Sequence, residues 1–443
     1  MKHPIRIAML AAGAGLMPAA LAAQDKVSVN SGDTAWVLTS AALVLMMTIP
    51  GLALFYGGMV RKKNIIATIQ YSMAATVIVS LVWVVFQYSL VFAPSPEGGL
   101  GPWLGNLSRA FMGGIGVDSV HPNAATIPES AYSMFQLMFA IITVALISGA
   151  VVERMAFGAW CAFTVFWSLL VYAPLAHWVW NPAGWLFKAG ALDFAGGLVV
   201  HTSSGVSALV LVKLLGPRAS FRAEPVSSPA NIGYVFIGAA LLWVGWFGFN
   251  AGSAVAANGI AASAFLVTNT AAAVAALVWM LLERIVHGKP SLVGASTGAV
   301  AGLVAITPAS GYVGVGGALA LGAVTSLISF VFMSKLRSKF KYDDALDVFS
   351  VHGLGGIWGA LGTGLFANGL VAGNAKGLFF GNPGQFLVQL GSVGAAVAIA
   401  IVGTIASWAL AKLLTKGRIR VSAAEQASGL DLSEHGEILE SAS

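Results

Sequence analysis

Apolar runs of about twenty residues recur along this chain from Ala35 to Leu414, separated by short polar loops. Each run is long enough to cross a hydrocarbon layer of about 30 Å. The chain is 58% hydrophobic and only 9% charged, against roughly a quarter charged in a soluble domain. Most of its surface is therefore expected to face a lipid bilayer, and we read an all-α integral membrane protein built as one polytopic helical domain. Eleven transmembrane helices are expected near 34–57, 64–92, 129–152, 157–177, 195–215, 231–250, 260–286, 291–306, 312–333, 347–367 and 386–414.

The formal charge of +6 does not point to nucleic acid, because the basic residues are scattered through loops and form no aromatic-interleaved patch. Topology accounts for them. One set of alternate loops, with the C-terminal tail, holds seventeen Lys and Arg, among them Arg61, Arg154, Arg218 and Arg418. The opposite set holds four: Lys26, Arg109, Lys188 and Lys376. Positive charge is retained on the cytoplasmic side, so the N-terminus is expected outside and the C-terminus inside. An odd number of spans agrees. So does the start of the chain, where Lys2 and Arg6 precede an apolar run and a small-residue stretch ending near Ala23. Residues 1–23 read as a secretory signal peptide, which with the topology indicates an inner membrane.

The single cysteine, Cys161, lies in an apolar stretch, which excludes a disulfide framework and a Cys-based metal site. The loop 93–128 is rich in Gly and Pro and reads as an external connection. After Arg420 the chain turns polar and acidic (Glu425, Asp431, Glu434, Glu437, Glu440), so residues 416–443 are expected to form a cytoplasmic, partly ordered tail behind the membrane domain at 34–415.

Ten of the spans divide into two halves of five, because each half ends in a segment joining an Asp to a His: Asp193 to His201, and Asp347 to His352. Five helices per half forces opposite orientations, a five-plus-five inverted repeat, and such repeats place substrate sites near the midplane where the halves meet.

Ionisable side chains inside a span are costly and mark function by default. Asp193 suits the N-cap of its helix, and His201 follows about 12 Å further along the axis. Glycines 353, 355, 356 and 359 beside His352 would let another helix approach closely. One membrane histidine alone would read as an interhelical hydrogen bond. Two at corresponding places read as a pair of neutral imidazoles that guide a small hydrogen-bonding molecule. No metal or cofactor is expected: no His-x-x-x-His or Cys pair is present, and a third nitrogen or sulfur ligand is hard to nominate apart from His177. Among aromatics, Phe135 and Phe139 share a helix face, as do Trp246, Phe249 and Ser253. Taken singly these read as packing, and Trp180 as an interfacial anchor. If Trp180, Phe139 and Ser253 converge, they form an aromatic cup with one hydroxyl acceptor, suited to a small cation.

At these residues the chain closely resembles the ammonium transporter family. The resemblance rests on Asp193-Phe-Ala-Gly-Gly-Leu-Val-Val-His201, Gly245-Trp-Phe-Gly-Phe-Asn-Ala-Gly-Ser253 and Asp347-Val-Phe-Ser-Val-His-Gly353, and it covers nearly the whole mature chain. It implies the eleven-helix ammonium transporter fold, a homotrimer, and one pore per subunit. It also implies that Trp180, Phe139 and Ser253 recruit ammonium, that Phe139 and Phe249 gate the pore, and that His201, His352 and Trp246 line it. Asp193 would be a structural acid near the outer site. The tail from Gly429 to Gly436 resembles the family's regulatory tail, where a PII-type protein can block the exit. Leu198 and Ser350 depart from the commoner Thr and Gly without touching this chemistry.

A bare ammonium ion in a narrow apolar pore meets a desolvation penalty of tens of kcal/mol in the idealised low-dielectric limit. The expected function is therefore uptake in which ammonium is recruited outside, deprotonated, and conducted as ammonia along a twin-histidine pore, electrogenic overall. The alternative is an ammonium sensor that signals through the C-terminal tail. An enzyme is not expected, since no nucleophile motif or metal ligand set is present.

Overall fold

The computed structural model describes residues 28–94, 99–221, 228–336, 339 and 342–439; the expected signal peptide at 1–23 lies outside them. Its membrane helices in chain order are α1 (Ser31–Met59), α2 (Lys62–Phe92), α3 (Glu129–Val151), α4 (Phe157–Lys188), α5 (Gly197–Leu215), α6 (Ile232–Gly252), α7 (Gly259–His287), α8 (Leu292–Ile306), α9 (Val315–Lys335), α10 (Phe349–Gly353 continuing through Leu354–Phe366) and α11 (Pro383–Leu414). Two short helices, α12 (Ala423–Ser428) and α13 (Leu430–His435), follow in the tail, and a small hairpin of β1 (Val120–His121) and β2 (Ala124–Pro128) lies between α2 and α3. Among the described residues, nine helices are long and apolar enough to cross a membrane unaided. The other two need their neighbours: α8 has only 15 residues, and α10 is diluted by His352 and its glycines. Together they make the expected eleven, with boundaries displaced by a few residues.

Short polar side chains set several helix starts by accepting otherwise unpaired N–H groups. Asn30 accepts from Asp33, Asn231 from Tyr234, Asn258 from Ile260 and Ala261, and Ser291 from Gly294. In α3, 20 of 23 residues are buried, so this helix is the axis around which the bundle packs. Exposed Leu266, Leu277 and Leu281 on α7, with Leu387, Leu390 and Val402 on α11, are apolar surfaces that belong in hydrocarbon.

Glycine decides how the halves meet. A β-carbon on Gly205 of α5 would fall 2.1 Å from the Gly353 nitrogen, and one on Gly356 of α10 would fall 2.7 Å from the Thr202 nitrogen. The two backbones therefore touch, as small residues permit in membranes. Gly355 and Gly359 meet Val304 and Ala305 of α8 in the same way, so the glycine-rich stretch serves two neighbours. His201 and His352 sit on widened π turns, Gly197–Thr202 and Phe349–Gly353, at this crossing.

The tail differs from its expectation. Residues 419–435 fold against the bundle, and two of the acidic residues that read as solvating cap helix starts instead. Asp431 Oδ1 accepts the Ala67 N–H at the start of α2 at 2.8 Å, and Glu434 Oε2 accepts the Phe157 N–H at the start of α4 at 2.7 Å. Carboxylates suit those positions because unpaired N–H groups and the helix dipole both favour negative charge there. Ile419 O accepts Ala156 N–H and Val421 N–H donates to Arg154 O, each at 3.0 Å.

Candidate functional site

A vestibule of about 150 Å³ opens at the end of α4 and is lined by Asn123, Tyr132, Gln136, Phe139, Trp180, Phe194, Ser253 and Val255. Trp180, Phe139 and Ser253 thus converge, although they come from three helices far apart in sequence. Trp180 and Phe139 meet edge to face at 5.9 Å. The indole N–H of Trp180 donates to the Asp193 carbonyl at 2.9 Å, which fixes the ring. Ser253 donates to the Phe249 carbonyl at 2.8 Å, so its oxygen lone pairs remain for a donor.

Below the vestibule, Phe139 and Phe249 stack with centroids 4.2 Å apart and planes at 27°. No gap for water remains between rings at that spacing. Beyond them lies a narrow cavity of about 10 Å³, bounded by Met47, Leu52, Phe55, Ile142, Leu146, His201, Leu242, Trp246, Phe249, Val300 and His352. That is room for a single water-sized molecule. His201 stacks on Trp246 at 5.5 Å and lies 5.3 Å from His352, while Trp246 is held by an N–H bond to Thr307 at 2.8 Å.

The two imidazoles face each other Nδ1 to Nδ1 at 3.2 Å. One nitrogen must donate and the other accept, so the rings hold opposite tautomers. Two imidazolium rings would instead set N–H against N–H. The pair therefore presents one Nε2 acceptor and one Nε2–H donor to the passage, and His201 Nε2 has no hydrogen-bond partner among the described residues.

His352 also borders a second, wider vestibule of about 320 Å³, which reaches Phe55, Arg61, Glu153, Arg218 and Asp347 at the other end of the bundle. Its rim is an ion network. Glu153, held in the left-handed region at φ 67, binds Arg61 at 2.9 Å and Arg218 at 3.0 Å, and Arg218 also binds Asp343 at 2.7 Å. Burial raises the Glu153 carboxyl, but Arg218 and Arg61 more than offset it and hold it below its usual range. The same competition, won by Arg218 and Arg154, lowers Asp343.

Asp193, expected as the N-cap of its helix, does cap it and does not line the vestibule: its carboxylate accepts four backbone N–H groups, Gly196 at 3.0 Å, Gly197 at 2.5 Å, Leu198 at 2.9 Å and Val199 at 3.1 Å. It reaches the vestibule only through its carbonyl bond to Trp180. The matching acid of the second half is Asp344 and not Asp347. Asp344 stands eight residues before His352, as Asp193 stands eight before His201, and it accepts the Phe349 N–H at 2.8 Å, the same five-residue offset as Asp193 to Leu198. Asp347 adopts φ 56 and lines the wide vestibule. His177, considered as a ligand, faces two backbone carbonyls, Val91 at 2.8 Å and Gly101 at 2.7 Å.

Sequence reasoning missed Gln136, Asn123, Tyr132 and Phe194 in the first vestibule. Gln136 carried a usable signal, a lone amide in an apolar span one turn from Phe139. The hairpin that brings in Asn123 carried none.

Two vestibules separated by an aromatic seal and a slender histidine-bearing cavity define a helical membrane transporter or channel for a small polar solute. The chain belongs to the ammonium transporter family: the family model described as Ammonium Transporter Family matches residues 35–439. It is 47% identical over 407 residues to the ammonium transporter of Bacillus subtilis (strain 168), covering 92% of this chain and 98% of that protein. The crystal structure of Saccharomyces cerevisiae Mep2 superposes with a TM-score of 0.83 at 33% identity, covering 89% of this chain and 88% of that one. A structure titled Sensor Amt Protein superposes with a TM-score of 0.81 at 27% identity, over 93% and 99% of the two chains.

Proposed function

We propose that this chain takes up ammonium by recruiting the cation in the Trp180 vestibule, removing a proton there, and passing ammonia between His201 and His352 to the opposite face. The observation that carries this reading is the Phe139–Phe249 stack, which separates an aromatic cup from a cavity with room for one water-sized molecule. Cation–π attraction from Trp180 and Phe139 and the free lone pairs of Ser253 favour a small cation in the cup. In the cavity, apolar walls and neutral imidazoles favour ammonia, which avoids the desolvation cost of a charge. Asp193 acts at a distance, by fixing the start of α5 and orienting Trp180. The proton crosses separately, so transport is electrogenic.

The Trp180 vestibule faces outside and the Arg218 vestibule faces the cytoplasm, in an inner membrane with the C-terminus inside. This orientation follows the excess of Lys and Arg at the Arg218 end. Three copies associate in the bilayer, and a PII-type protein binds at the cytoplasmic mouth. A sensor role is the second reading. It is favoured by the tail, whose acids cap α2 and α4, and by the likeness to the structure titled Sensor Amt Protein.

The test is current across a solid-supported membrane after an ammonium pulse onto proteoliposomes, with potassium as control. Wild type should give an ammonium current that Asp193→Ala abolishes. Potassium current should be absent from wild type and emerge in the His201→Ala, His352→Ala double variant. A silent wild type sinks electrogenic transport, and internal pH change then separates neutral ammonia conduction from sensing.

A further inference from the structure

One imidazole ties the hairpin to the helices beneath it. His121, at the end of β1, is buried. Its ring stacks on Tyr132 of α3 with centroids 4.7 Å apart and planes at 14°, and meets Phe92 of α2 edge to face at 5.7 Å. Both ring nitrogens face backbone groups: Nε2 lies 3.1 Å from the Phe92 carbonyl, and the Asn123 N–H lies 3.2 Å from Nδ1. A carbonyl can only accept and an amide N–H can only donate, so the ring is neutral with its proton on Nε2. Asn123 carries the connection onward. Its Nδ2 donates to the Trp180 carbonyl at 2.9 Å, the end of the helical stretch Ala173–Trp180, where carbonyls have no partner within their own helix. Since the Trp180 indole N–H is held by Asp193, the residue is tied at both ends, and Asn123 and Trp180 both line the vestibule.

We propose that His121 is a positioning residue for the outer vestibule: its neutral ring holds Asn123 on Trp180, and a proton taken up at Nδ1 releases that hold and weakens recruitment of the cation. Protonated Nδ1 sets N–H against the Asn123 N–H, while the bond from Nε2 to Phe92 stays, so the loss falls on the hairpin side of the ring. The charged groups that act on the imidazole are Glu129 of α3, which favours its cation, and Arg109 of the loop after α2, which opposes it; the stacked Tyr132 adds a neutral phenol. Glu129 is itself bound by the Tyr88 hydroxyl at 2.8 Å and by Arg109 at 3.4 Å. Burial outweighs these charges and keeps the imidazole below its ordinary value of 6.5, so it is neutral at neutral pH and titrates in the acid range. This inference rests on the vestibule being the recruitment site.

The experiment follows ammonium saturation of the transport current in proteoliposomes from about pH 7.5 to about pH 5, for wild type, His121→Asn and Asn123→Ala, with thermal unfolding of each purified variant as the folding control. Losing one hydrogen bond at the vestibule rim should raise half-saturation in wild type by about fivefold as pH falls, with less effect on maximal current. An Asn side chain can accept the N–H two residues on but cannot titrate, so His121→Asn should stay level over the same range. Asn123→Ala should start about fivefold above wild type at neutral pH and also stay level; it carries the test if His121→Asn does not fold. A wild type whose half-saturation does not move with pH overturns the proposal. So does a rise shared by all three proteins, which would place the titrating group elsewhere, and so does an Asn123→Ala variant that saturates like wild type at neutral pH. A wild type without current would instead strike at the proposed transport itself.

Discussion

Gly205 and Gly353 touch so closely that a β-carbon on the first would sit 2.1 Å from the backbone nitrogen of the second. The distance between the two histidines depends on that contact, since His201 and His352 lie on the helices it joins. Gly205→Ala must push α5 from α10, at a cost of about 1–3 kcal/mol for overpacking. The variant should unfold at lower temperature in detergent and lose most ammonium current although both histidines remain. Wild-type current from a stable Gly205→Ala protein would show that the histidine contact is not needed.

Asp193→Asn keeps one carboxamide oxygen but turns an N–H₂ group toward two backbone N–H donors that Asp193 had satisfied. Losing two hydrogen bonds to a charged acceptor should destabilise the chain by about 3 kcal/mol. Thermal unfolding should fall, and Trp180 fluorescence should shift, because its indole N–H binds the Asp193 carbonyl. Unchanged unfolding and fluorescence would free Asp193 from this positioning role.

Phe249→Ala removes one ring of a stack with centroids 4.2 Å apart. If that stack is the seal, hydrated ions gain access to the histidine cavity, and a potassium-evoked current should emerge in proteoliposomes. Its absence would move the seal to His201 and His352.

The ion network at the Arg218 vestibule sets a pH limit. Glu153 and Asp343 have carboxyls lowered in the folded chain from ordinary values of 4.5 and 3.8. Their contribution to stability is present above those ordinary values and is lost as pH falls through the lower folded ones. Thermal unfolding followed by circular dichroism should therefore hold steady from neutral pH and fall below about pH 4. Glu153→Gln should lower stability at neutral pH by about 3 kcal/mol, because Arg61 and Arg218 lose a buried partner, and should flatten the acid dependence.

Asp431→Ala leaves the Ala67 N–H at the start of α2 without its acceptor. The tail should detach more often, exposing the segment around Arg418 and Arg420. Limited trypsin digestion should cut there faster than in wild type, with the bundle intact. Equal rates would mean that Glu434 and the Arg154–Val421 bond hold the tail without Asp431.

Hydropathy alone accounts for nine of the helices among the described residues, because the cost of exposing a peptide group to hydrocarbon is local and accumulates residue by residue. The histidines were legible for the same reason: an ionisable group in an apolar run stands out on its own. Convergence was not legible. Trp180, Phe139 and Ser253 meet because helices from distant parts of the chain cross at set angles, and those crossings depend on contacts such as Gly205 on Gly353, 148 residues apart. The second capping acid was misassigned to Asp347 because sequence proximity to His352 does not reveal which carboxylate reaches a free N–H. The acidic tail read as solvated because composition cannot tell a free carboxylate from one that caps a helix start far away in the chain. Sequence by itself determined what each segment is made to sit in, since solvation energy belongs to individual residues. Which side chains face one another in the passage was decided only by the tertiary structure, since that depends on packing between them.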